Sequence, residues 1–264
     1  MKPEAEIMFK VFALALNTFR ESIRDRVFYS LLAFAMIMLI FSLVLGYLTI
    51  GDEIKIIKDF GLGAISLFGV LIAIFVGISL VYKEMEKRTI YVILANPISR
   101  LQFLMGKYLG LSATLLVEVV AMSICLLVLC YIKMKEPVMP WDLFLAIIPI
   151  WLELQLILAV ALLFSTFVSP FLSGLFTLAI FVVGHLTQDF RHIAENMENL
   201  ALQKTADILY YVFPNLEILN YKTRVVHHLE ITTGEFLSSL LYATIYTLSL
   251  LCLAVLIFQK RDIR

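Results

Sequence analysis

Six stretches of this sequence run for about 20 residues or more with at most one ionisable side chain in each: 27–50, 60–82, 108–132, 143–168, 170–188 and 236–259. A helix needs about 20 apolar residues to cross a hydrocarbon core of about 30 Å. Backbone in lipid must satisfy its own hydrogen bonds, so runs of this kind fold as transmembrane helices. The remainder of the composition agrees. Of 264 residues, 61% are hydrophobic and 16% charged, where soluble domains carry about 25% charged residues. A soluble enzyme, a disordered chain and a nucleic-acid binder all fit this composition poorly. The chain reads as an all-α integral membrane protein, a single transmembrane domain over 1–264.

The fourth and fifth runs are separated by no charge, because Glu153 is followed by an uncharged stretch to Gln188. That stretch is too long for one crossing, and Val168-Ser169-Pro170 interrupts it. The residue before a proline avoids the α region, so a helix ends near Ser169. Ser169 then caps a second helix with Pro170 in its first position. The reading is a tight helical hairpin, the alternative one long kinked helix.

Charge distribution sets the orientation. Thirteen of the 21 lysines and arginines lie before the first run, in 83–107, or after the sixth run. The other eight are spread over the opposite loops: Lys55, Lys58, Lys133, Lys135, Arg191, Lys204, Lys222 and Arg224. The positive-inside rule places both termini and 83–107 in the cytoplasm. That requires an even number of spans, which favours the hairpin.

Three segments lie outside the spans. Residues 1–26 contain an amphipathic helix over 7–24, with Lys10, Asn17, Arg20 and Arg24 on one face and Ile7, Val11, Phe12, Leu14, Ala15, Phe19 and Ile23 over much of the rest. Such a helix lies in the cytoplasmic interface against lipid headgroups; the alternative is an extension of the first span. The 83–107 loop carries charge at Lys83–Arg88, a short apolar piece from Ile90 to Ala95, a turn at Asn96-Pro97, and Ser99 placed to cap the next helix. An apolar patch bounded by charge suits docking to a soluble partner, and it equally suits a solvated loop at the membrane surface. The outward loop over 189–235 contains Ile208–Phe213, too short to cross, ended by Pro214. It reads as one or two interfacial or re-entrant helices.

Catalytic motifs are absent. There is no G-x-x-x-x-G-K-[ST], since Gly106-Lys107 lacks the upstream glycine, and no G-x-G-x-x-G or H-E-x-x-H. Cys125, Cys130 and Cys252 form no C-x-x-C pair and read as small apolar side chains. His227 and His228 are adjacent and point apart, so no metal site is expected. Gly106-x-x-x-Gly110 and Ala73-x-x-x-Gly77 permit close helix packing, with dimerisation the lesser reading. Glu118 and Glu153 stand out, each about ten residues into its run. An ionisable group at mid-bilayer is costly and marks function by default. The functional reading is a polar lining for a transport path; the structural one is a protonated carboxyl bonded to a neighbouring helix. His185, towards the outer end of its run, reads as interfacial.

The order Lys83-Glu84, Arg88-Thr89-Ile90-Tyr91, Ile93-Leu94-Ala95-Asn96-Pro97-Ile98-Ser99-Arg100, Phe103, Gly106-Lys107 and Gly110 resembles the permease subunit of ABC-2 type transporters. Within that family it is most similar to the branch of the nitrous-oxide-reductase-maturation permease. Asn17–Glu21 with Arg24-Asp25, Asp59–Leu62, Phe213-Pro214-Asn215 and Lys260-Arg261-Asp262 fit the same pattern. The resemblance implies six spans, an interfacial elbow helix, re-entrant outward helices and a cytoplasmic coupling helix within 83–107. It implies docking on a separate P-loop ATPase subunit that binds ATP and Mg, this chain holding no cofactor. It also implies pairing with a second permease copy or a homologous permease, in the prokaryotic inner membrane. Glu84, Glu86, Arg88, Thr89, Pro97 and Arg100 would then transmit the ATPase movement. The expected function is ATP-driven export, with no catalysis in this chain. The rival readings are a membrane-embedded enzyme acting on lipid and a scaffold that anchors a soluble complex.

Overall fold

The computed structural model describes residues 3–49, 52–86, 99–133, 141–195 and 200–260. Among the described residues the regular structure is entirely helical. The helices are α1 (Pro3–Ile23), α2 (Arg26–Tyr47), α3 (Glu53–Glu86), α4 (Arg100–Lys133), α5 (Phe144–Ser165), α6 (Pro170–Glu195), α7 (Leu200–Val212), α8 (Lys222–Val226) and α9 (Thr233–Lys260). Six of them, α2 to α6 and α9, are long and apolar enough to cross a membrane.

Local chemistry sets the breaks. Asp25 is extended between α1 and α2, and its carboxylate accepts the Val27 N–H at 2.8 Å. This cap satisfies one of the free donors that begin a helix. Residues 7–24 are therefore not an extension of the first span. The predicted hairpin is present: α5 stops at Ser165, a turn follows, and α6 starts at Pro170. Ser99 and Gln102 open α4 with a reciprocal pair, Ser99 N–H to Gln102 Oε1 at 2.8 Å and Gln102 N–H to Ser99 Oγ at 3.2 Å. This is a capping box, and it fixes where the loop returns to helix.

The interior helices are α3 and α5. Sixteen of the 22 residues of α5 are buried, whereas α2, α6 and α9 turn rows of apolar side chains outward, such as Ile37, Phe41 and Val44, or Leu237, Leu241 and Leu248. Between helices in lipid the attraction is packing, so small residues mark the contacts. A Cβ at Gly69 would lie 2.4 Å from Leu154 Cδ1, which seats α5 directly on the α3 backbone. The Gly106 and Gly110 pair serves α1. Gly106 packs under Leu14, and Gly110 lies against the Ala15 carbonyl and Thr18. Ala15, Thr18 and Ser22 form the buried stripe of α1. The G-x-x-x-G spacing thus joins the amphipathic helix to α4 within one chain.

Several expected boundaries move. The second span begins at Glu53 and not near Phe60, and Lys58, expected in a loop, lies in α3 with only 3% of its surface exposed. Its ammonium is 2.6 Å from Asp142, which neutralises it inside the bundle. Residues 83–86 complete α3, and 100–107 open α4, so the stretch between these helices is 87–99. Of these, 87–98 lie outside the described residues, and with them the expected coupling helix. The loop expected to face outward narrows to 196–232, because 189–195 complete α6 and 233–235 open α9.

The connections sort onto two ends of the bundle. At one end Arg100 bonds the last carbonyls of α9. At the other, Lys133 of α4 reaches Glu53 of α3 at 3.5 Å, and Asp142 meets Lys58 and, at 3.9 Å, His228.

Candidate functional site

Glu153 lies in the middle of α5 with no exposed surface. Its Oε1 faces two partners from different helices: Ser66 Oγ of α3 at 3.5 Å and His185 Nε2 of α6 at 3.4 Å. The other imidazole nitrogen, Nδ1, is 3.1 Å from the Phe181 carbonyl. A carbonyl only accepts, so Nδ1 carries the proton of that bond. The contact between Nε2 and Oε1 then needs one further proton, on either atom, since two bare acceptors repel. Oε2 has no hydrogen-bond partner among the described residues. His185 is therefore not an interfacial residue only; it bridges α6 to the core carboxylate, with 21% of its side chain exposed.

Serine, histidine and glutamate are also the residue types of a hydrolytic triad. Here both Ser66 and His185 address the carboxylate, whereas a triad needs the imidazole between hydroxyl and carboxylate. Among the described residues no group of three or more His, Cys, Asp or Glu is arranged to hold a metal ion.

Glu118 is equally enclosed, with no exposed surface and no hydrogen-bond partner for either oxygen among the described residues. It shares a face of α4 with Leu111, Leu115 and Met122, at helical spacings of three, four and seven. Leu126 sits on Gly61, and Leu111 lies 3.8 Å from the Cβ position of Gly77. Interpolating along these antiparallel helices puts Glu118 level with Gly69, which Leu154 covers. By this register the two carboxylates fall near one level along the bundle. On α5 at this level the side chains of Gln155 and the Trp151 Nε1 also lack partners among the described residues. Buried polar atoms are nearly always paired, so this concentration at mid-bundle calls for an explanation.

A cap packs over the end near His185. The Leu216 N–H donates to the Gly184 carbonyl at 3.0 Å. A side chain at Gly184 would meet Leu216 Cγ and the Pro214 carbonyl, both at 2.8 Å. Asn215 takes the Tyr242 hydroxyl of α9 as acceptor for its N–H at 2.9 Å, and its side chain accepts the Glu217 N–H at 3.1 Å. The Phe213-Pro214-Asn215 motif is thus the pin that holds the cap to α6 and α9. Arg191 of α6 lies over the Tyr210 ring at 4.5 Å and so holds α7.

Of the residues expected to transmit ATPase movement, Glu84 and Glu86 are in the last turn of α3. Arg88, Thr89 and Pro97 lie outside the described residues. Arg100 is the first residue of α4, and its guanidinium donates to the carbonyls of Phe258 at 2.6 Å and Gln259 at 2.8 Å. Sequence reasoning found the residue and missed this partner, which lies more than 150 positions away in the chain.

A family model described as ABC-2 family transporter protein matches residues 12–263, nearly the whole chain. A search of curated proteins finds no match.

Proposed function

The chain belongs to the ABC-2 family of transporter proteins, and we propose on that premise that it is the permease of an ATP-driven exporter whose ATP-binding subunit is a separate P-loop protein. The observation that carries the reading is the family match over 12–263, joined to six apolar helices that can span a bilayer. Permeases of this family work with an ATP-binding partner. The finer parts of the proposal rest on the residues. The excess of lysine and arginine supports cytoplasmic termini and a cytoplasmic 83–107 segment. The Arg88–Arg100 motif order supports a place near the nitrous-oxide-reductase-maturation branch, in a prokaryotic inner membrane. A second copy of the chain or a homologous permease completes the transporter.

In this proposal the ATPase docks on 83–107, with Glu84, Glu86, Arg88, Thr89, Pro97 and Arg100 as the residues that receive its movement. Replacing Glu84 and Arg88 together with alanine is expected to abolish copurification of the ATPase, or its stimulation, while the chain still inserts and survives size exclusion as a folded species. Full binding and full stimulation by the double variant would overturn the docking assignment.

Glu118 and Glu153 are proposed as polar groups of the cargo path. Both are enclosed in the state described, so cargo reaches them only after α4 and α5 part from their neighbours. The lipid-acting enzyme is disfavoured by the way Ser66 and His185 both address Glu153. The scaffold reading predicts a complex that forms without ATP-dependent flux.

A further inference from the structure

We propose that Arg100 passes the movement of the ATPase-docking segment directly into the last helix, α9, so that α9 moves with the nucleotide cycle; this rests on the permease reading above. Arg100 stands where that segment becomes α4, and the Ser99–Gln102 capping box holds it in place. A cation at its own helix N-terminus is unfavourable, because that end of the macrodipole is positive. The guanidinium instead satisfies the C-terminal carbonyls of α9, where a cation is favoured and the orphan acceptors need donors. It lies 5.7 Å from the centre of the Phe258 ring, and Phe103, one turn along α4, stacks on the same ring at 6.1 Å.

Apolar packing backs this clamp. Leu104, Leu163, Ala254 and Val255 form a small buried apolar cluster, joined to the main core through Leu250 of α9. It joins α4, α5 and α9 immediately behind Arg100 and Phe103. Leu163 is near the end of α5, just before the hairpin that leads to α6. The clamp therefore gives docking-loop movement a route to α9 that bypasses α3, the helix on the other side of the loop.

The test uses the full complex of this chain with its ATPase in lipid nanodiscs. The native cysteines are changed to alanine, and spin labels sit at Lys260 of α9 and at the exposed Tyr29 of α2, with labelled copies diluted in unlabelled ones. Trapping the ATPase with ATP and vanadate is expected to shift the Lys260–Tyr29 distance. Arg100→Gln is expected to lose that shift, and Arg100→Lys, which keeps a cationic donor, to restore it. If Arg100→Gln does not fold or releases the ATPase, Phe258→Leu, which removes the ring that both Arg100 and Phe103 contact and lies outside the docking segment, is expected to reduce the shift with the ATPase bound. A shift of wild-type size in Arg100→Gln or Phe258→Leu with the ATPase bound overturns the link and leaves the permease reading standing. A chain that binds no ATPase overturns both.

Discussion

Gly110→Val is expected to detach α1 from α4 and to destabilise the protein more than a substitution at any lipid-facing glycine. A Cβ at Gly110 would lie 2.5 Å from the Ala15 carbonyl oxygen and 2.6 Å from the Thr18 Cβ. Neither atom can rotate away, because one is backbone and the other is fixed to it. The whole of α1 must then move, which opens the buried stripe of Ala15, Thr18 and Ser22. Overpacking in a tight contact costs about 1–3 kcal/mol, and valine adds more bulk than the first methyl. A Cβ at Gly106 would lie 2.8 Å from Leu14 Cδ2, the end of a side chain that can rotate, so Gly106→Ala is expected to cost less. Gly63→Ala is the control, since nothing lies within 4 Å of its Cβ position and alanine favours helix by about 1 kcal/mol. Thermal unfolding in detergent ranks the three. A cysteine at position 18 should become reactive in the Gly110→Val background. Equal melting temperatures for Gly110→Val and Gly63→Ala, with position 18 still protected, would contradict the packing described.

His185→Ala is expected to destabilise the bundle through Glu153. It leaves the carboxylate with Ser66 alone, at 3.5 Å. An abandoned buried acceptor costs about 1–3 kcal/mol, and an abandoned buried charge about 3–5 kcal/mol. The cost belongs to the group left behind. The double variant Glu153→Leu with His185→Ala should therefore be at least as stable as His185→Ala, because no unpaired carboxylate remains. Neighbours of this kind show coupling energies of about 0.5–3 kcal/mol in a double-mutant cycle. Strictly additive effects would show that the two side chains do not interact. Transport separates from stability here: Glu118→Gln and Glu153→Leu should alter flux while the ATPase stays bound, if the two carboxylates lie on the cargo path.

The architecture was legible because its signals are local. An apolar run declares a span by its own length, Ser169-Pro170 declares a break, and the charge pattern of 7–24 declares an amphipathic helix. Ser99 is readable as a cap, and the structure adds Gln102 as its reciprocal partner. What stayed hidden depends on contacts between distant residues. Lys58 looks like a loop residue until Asp142, 84 positions later, neutralises it within the bundle. The glycines at 106 and 110 signal a close approach but do not say which helix approaches; it is the chain's own α1. Glu153 announced itself by the cost of its charge, whereas His185, at the end of its run, gave no sign of facing it. Arg100 was conspicuous as part of a motif, and its grip on α9 was not.

The central proposal is that this chain is the membrane subunit of an ATP-driven transporter and depends on a separate, soluble protein for its energy. Purification of the tagged chain from its native membrane in a mild detergent, with and without cross-linking, tests it most directly. The account predicts a stoichiometric P-loop ATPase in the eluate. A chain that elutes without such a protein, even after cross-linking, would contradict it.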